Sequence, residues 1–293
     1  MTLDSRPARA GPITFLTGLP VAERQGVLRI QYVRIRATED PTSLGRELTV
    51  EAVPIVLATG ITPRLAAFVA VPLIDKSFEQ GGIVRGASGT GDTLVFARYT
   101  AFSRDEAGAT LRVAPFAGVE VPTGAHNERD SSGRLPQPLQ PGSGSWDFLG
   151  GIVFTRQTLQ WELDADAGYR RNGEGDRYRF GEELFADVSL QYRVLPRRLS
   201  DESQRFVYAV VESNLARRSK DEIDGRPDVL SGGTTMFIDF GIQYVTESWI
   251  LEAALRKPVV QNLAGGALER DYEITAGFRF NFSWLSASDP GAM

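Results

Sequence analysis

Apolar and polar side chains alternate along most of this chain. In the stretch TLQWELDADAGYRR, residues 158–171, Leu159, Trp161, Leu163, Ala165, Ala167 and Tyr169 fall on one side of a two-residue repeat. Gln160, Glu162, Asp164, Asp166 and Arg170 fall on the other. Side chains at i and i+2 share one face of a strand, so the pattern predicts a strand with one greasy and one densely charged face. Period-two segments of this kind are predicted over 27–36, 47–59, 65–74, 92–103, 110–121, 146–155, 159–171, 183–194, 206–217, 234–245, 249–260 and 272–282. Most exceed the roughly 5–6 residues of an ordinary strand. Almost no helical period is present.

The connections add a second pattern. Short joints such as GITPR, RDEAGA, RQ and TES alternate with long ones such as ATEDPTSLGR, DKSFEQGGIVRGASGTG, residues 122–145, NGEGDRYRFG, RSKDEIDGRPDVLSGG and QNLAGGALERD. LPRRLSDESQ is a longer exception at a position where a short turn is due. If the strands are antiparallel, every long loop lies at one end and every short turn at the other. An even strand count also brings both termini to the short-turn end.

The two faces differ in kind. In DYEITAGFRFNF, Tyr272, Ile274, Ala276, Phe278, Phe280 and Phe282 oppose Glu273, Thr275, Arg279 and Asn281. Trp161, Tyr169, Tyr192, Tyr244, Trp249 and Tyr272 gather near strand ends, where rings with an apolar body and a polar tip suit a membrane–water interface. A soluble barrel would put the apolar residues inside. Strand length, loop alternation and charge density on the polar face favour the opposite polarity. The expected fold class is all-β: a single closed antiparallel transmembrane β-barrel of about 12 strands, with short periplasmic turns and long extracellular loops. Residues 1–25 form an N-terminal segment, read as either a periplasmic tail or a lumen plug. Residues 26–283 form the barrel and 284–293 a C-terminal tail. Two stretches, PIVLA and AAFVAVPLI, are apolar on both faces. They are expected against a plug, against a neighbouring subunit, or as buried strands of a soluble fold.

Composition narrows the chemistry. The chain has 293 residues, a formal net charge of −5 and no cysteine, and its one histidine is His126. Disulfides and thiolate chemistry are excluded. Ser–His chemistry would have to pass through His126, which sits in the longest loop and is expected to be a solvated loop residue. The acidic balance gives no support to nucleic-acid binding. No apolar run approaches the roughly 20 residues of a membrane helix. The stretch MTLDSRPARAGPITFLTG has no h-region of a signal peptide, so either the protein is not exported or its signal has been removed or lost upstream. GTGD (89–92) and GSGS (142–145) lack the lysine and following helix of a phosphate loop. No cofactor is expected.

Several motifs resemble a known family: FLTGLPVAE, GTGDTLVFARYTAF, FAGVEVPTG, GSGSWDF, GIQYVTESWILEAALRKPVVQNL and DYEITAGFRFNF. Together they look like the outer-membrane transporter family named after the meta-cleavage pathway of phenol degradation, from about residue 12 to residue 282. The resemblance implies a bacterial outer-membrane barrel that admits small, often aromatic or hydrophobic, compounds, with outer-membrane lipid and a small-molecule solute as partners. It leaves the oligomeric state open.

The polar face supplies lumen-lining candidates: Arg98, Arg112, Glu162, Asp164, Asp166, Arg170, Asp187, Arg193, Asp239, Glu252, Arg256, Glu273 and Arg279, with Arg29 and Glu51 on the same reading. They form either a charged constriction that selects by charge and size or a set of cross-strand pairs that fill the interior. Glu162, Asp164 and Asp166 repel one another and need basic neighbours or a cation. Calcium is one such cation, but no metal site is assigned. A passive channel is the first expectation and no enzyme activity is assigned. A plugged structural or docking barrel, an outer-membrane hydrolase and a soluble β-barrel are the alternatives.

Overall fold

The computed structural model describes residues 10–200 and 203–283. The expected tail over 284–293 lies outside the described residues, as do residues 1–9. Twelve strands form the barrel: β1 (Gln25–Ala37), β2 (Glu47–Gly60), β3 (Leu65–Gln80), β4 (Thr93–Tyr99), β5 (Ala109–Val121), β6 (Asp147–Thr158), β7 (Trp161–Arg171), β8 (Glu183–Leu195), β9 (Phe206–Arg218), β10 (Gly233–Val245), β11 (Trp249–Leu263) and β12 (Tyr272–Ser283). Each pairs antiparallel with its sequence neighbours. The ring closes where β1 meets β12, from Gln25↔Ser283 to Arg36↔Tyr272. Closure leaves no sheet edge, so the backbone hydrogen bonds are satisfied without water.

The polarity is inverted relative to a soluble barrel. Asp239 is fully buried, while its neighbour Phe240 is 63% exposed. Down β7, Glu162, Asp164 and Asp166 are buried, and on β8 Leu184, Val188, Leu190 and Tyr192 are exposed. About 9–11 tilted residues cross a bilayer; most of these strands are longer, so their ends project beyond it. At the short-turn end, Tyr244 and Trp249 bring their rings to 5.5 Å and Trp249 stacks on Phe278.

The segment predicted over 92–103 breaks after Tyr99, and Phe102–Glu106 pairs separately with β5. Two further features differ from the sequence expectation. The connection after β3 is largely strand. β3 runs on to Gln80 and pairs with Ile83–Thr90 through the two-residue turn Gly81–Gly82. Both glycines have positive φ, 58° and 77°, which the tight turns of twisted hairpins require. Glu51 faces outward. Cross-strand partners share a face, and Arg29, which points inward, is opposite Val56. Glu51 therefore stands on the other face, where it pairs with Arg34 at 3.3 Å and accepts from Tyr32 at 2.7 Å. Its charge alone suggested the lumen, but strand parity decides its side.

The register also explains the strands that are apolar twice over. Phe68, Ala70, Pro72 and Ile74 share the inward face of β3, opposite Ala58, Val56, Pro54 and Ala52 of β2. Phe68 stacks on Phe96 of β4 with ring centroids 4.4 Å apart. The outward faces of the same strands are apolar as well, so this arc of the inner wall is greasy, while the other strands mix buried charged and polar residues with apolar ones.

Candidate functional site

Residues 10–23 lie against the inward face before the chain turns into β1. Ile13 is fully buried. Its amide donates to Glu212 at 2.8 Å, and its carbonyl accepts from Arg29 at 2.5 Å and Gln31 at 2.9 Å. Thr14 donates to Glu212 through its amide (3.1 Å) and its hydroxyl (2.6 Å). Gln243 donates to the Gly11 carbonyl at 2.8 Å, and Arg279 to that of Pro12 at 2.5 Å. Further along, Gly18 donates to Thr155 at 2.7 Å, and Arg98 donates to the carbonyls of Thr17 and Leu19. The Arg98 guanidinium also sits 5.1 Å over the Phe68 ring. Leu16 and Val21 pack on the greasy arc, against the cluster of Ala58, Ala66, Phe68 and Phe96. The segment thus meets polar side chains largely with its backbone and the apolar arc with Leu16 and Val21.

The predicted charges divide into two sectors. On β1, β10, β11 and β12 they are neutralised in compact groups. Glu252 receives Arg29 at 2.7 Å and Arg279 at 2.6 Å. Arg256 bridges Asp239 and Glu273, each at 3.0 Å. Buried ions need this kind of pairing. On β7, β8 and β9 the carboxylates meet neutral donors instead. Glu162 accepts from Gln157 at 2.5 Å and Thr17 at 3.3 Å. Asp164 accepts from Thr155. Asp187 accepts from Asn214 at 2.9 Å, and Glu212 from the N-terminal segment and from Ser189 at 2.8 Å.

The remaining predicted residues stand apart from these groups. Arg112 reaches toward the short-turn end and pairs with Asp105 at 2.7 Å. Arg193, at the same end of β8, donates to Gln160 at 2.7 Å. Arg170 pairs with Glu120 at 2.9 Å near the long loops. Glu212 and Gln243, which grip the N-terminal segment, were not among the candidates. The one signal for Glu212 is a lone carboxylate in the otherwise apolar run FVYAVVES.

The long loop over 122–146 covers the other end of the greasy arc. Lys76 donates to the carbonyls of Pro138 and Gln140 at 2.9 and 2.6 Å. Asp92, at the break before β4, accepts the amides of Gly124 (2.8 Å) and Ser143 (2.6 Å). Among the other loops, Asp40 accepts from Arg46, which with Thr42 holds its carboxyl well below the usual carboxylate range. Burial and Asp221 push the Tyr178 phenol up.

The barrel is similar to a solved outer membrane channel from Pseudomonas putida F1, with a TM-score of 0.69 and 17% identity over 94% of this chain and 100% of that one. It is also similar to the beta domain of the Bordetella autotransporter BrkA, with a TM-score of 0.50 and 10% identity over 89% of this chain and 100% of that one. No curated protein matches the sequence. Residues 25–257 match the family model described as "Putative MetA-pathway of phenol degradation". That match, the closed twelve-strand ring and its exposed apolar exterior place the protein in the bacterial outer membrane. The chain belongs to this phenol-degradation family of outer-membrane β-barrels.

Proposed function

We propose that the protein is a passive outer-membrane channel for small molecules with an apolar or aromatic body. One observation carries the reading: the inner wall has two kinds of surface. Val56, Ala70, Pro72 and Ile74 form an arc with no charged side chain among them, whereas the other strands interleave buried charged and polar residues such as Glu162, Glu212 and Asp239 with apolar ones such as Phe116, Val153 and Val210. A uniformly polar interior would suit hydrophilic solutes, and a filled interior would need no such arc. The named outer-membrane channel with a similar fold supports the reading. On this reading, this chain's own N-terminal segment narrows the path from the short-turn end and its loop over 122–146 narrows it from the other. The lumen-lining role of the predicted charges belongs to the same proposal: they set the polar side of the path.

We favour a channel over a hydrolase. The one imidazole, His126, lies in the outer loop with Nδ1 3.0 Å from the Gly124 carbonyl, and its ring has no hydroxyl nucleophile as a hydrogen-bond partner among the described residues. Purified protein in liposomes tests the proposal. Phenol-sized aromatic solutes are expected to enter faster than sugars of similar mass, and only when the protein is present. A barrel that passes no small solute would overturn the reading.

A further inference from the structure

Asp166 of β7 and Asp187 of β8 stand directly opposite each other in the antiparallel register. Like charges in that position repel. Asp166 is only 7% exposed, and no hydrogen-bond donor reaches its Oδ1. Asp187 is half-buried, and its Oδ1 is occupied by Asn214. The surrounding groups offer no uncommitted counter-charge. Asp164 and Glu212 are acidic themselves. Arg256, whose charge Asp187 senses, is committed to Asp239 and Glu273. The pair is thus a largely buried acceptor site in which Asn214 donates to Asp187, Oδ1 of Asp166 has no donor, and no uncommitted cation balances the charge.

We propose that Asp166 and Asp187 together bind a small monovalent cation of the alkali or ammonium class. A divalent ion such as calcium takes about 6–8 oxygen ligands, and the described residues contain no group of three or more acidic or imidazole side chains arranged to hold a metal. Two carboxylates completed by water suit a singly charged, partly hydrated ion. The site shares a wall with the proposed path and gives its polar side a preference for cations.

Melting of the purified protein in uncharged detergent tests the site, at fixed pH and ionic strength, as potassium replaces the bulky cation N-methylglucamine. The wild type is expected to melt several degrees higher in potassium. The double variant Asp166→Asn/Asp187→Asn is expected to lose that dependence and to melt no lower than the wild type does in N-methylglucamine. Equal potassium responses in the two proteins would overturn the proposal. So would a wild type stabilised by acid and indifferent to potassium, because the pair would then share a proton. If the double variant does not fold, Asp187→Asn alone serves for the same comparison. Current through planar bilayers is scored separately: its absence would overturn the channel reading and leave the melting result to decide the cation site.

Discussion

Glu212 of β9 accepts the backbone amide of Ile13 at 2.8 Å, across 199 positions of chain. The same carboxylate takes the amide and hydroxyl of Thr14, so one side chain fastens the N-terminal segment to the inner wall. Hydrogen bonds to a charged group contribute about 1.5–3 kcal/mol each. Glu212→Ala is therefore expected to loosen the segment without unfolding the barrel. Solute entry into liposomes should rise several-fold, while the unboiled protein still migrates as a folded barrel in detergent gels. Unchanged entry in a folded variant would mean that the segment does not limit the path.

Glu252 carries a different load. Its carboxylate is the meeting point of Arg29 and Arg279. Glu252→Ala leaves two largely buried guanidiniums without a counter-charge, a change that costs about 3–5 kcal/mol when one partner of a buried pair is removed. The exposed pair Arg34–Glu51 gives the contrast, since surface pairs contribute about 0–1 kcal/mol. Urea unfolding from lipid vesicles should separate Glu252→Ala from Glu51→Ala by that margin.

Phe240, in the middle of β10, tests the polarity itself. Arginine on the lipid face near the bilayer midplane costs about 2–4 kcal/mol. Phe240→Arg should lower folding stability in vesicles by that amount. A neutral result would put Phe240 in water.

The Asp40 loop should respond to acid in a defined direction. The Arg46 hydrogen bond holds the folded-state pKa below the ordinary 3.8. Such a group adds stability that is complete above the unfolded value and is lost as pH falls through the folded one. Protection of residues 38–46 from proteolysis by an acid-active protease should persist at pH 4 and fail only in stronger acid. Asp40→Asn should abolish that protection at every pH.

Much of this architecture was legible in local order. A strand repeats every two residues, so neighbours in sequence report which face is greasy, and the segments at 159–171 and 272–282 fall within a residue or two of β7 and β12. Loop lengths told the two ends apart, because a hairpin joint is also local. The stretch after β3 misled because its glycines and charges look like a loop, although Gly81–Gly82 makes a tight turn between paired strands.

What alternation could not supply is the relation between distant strands. Which side of β2 faces inward depends on its register with β1, so Glu51 went outside against its charge. Glu252 finds Arg29 and Arg279 only because closure brings β1, β11 and β12 together. The place of Ile13 depends on Glu212, Arg29 and Gln31, contributed by strands far apart in the chain. The sequence determined strands, turns and the chemistry of each face, since these follow from the covalent geometry of neighbouring residues. Only the closed ring decided which charges meet, which remain without a counter-ion, and what the N-terminal residues touch, because those depend on distances that exist only once the last strand pairs with the first.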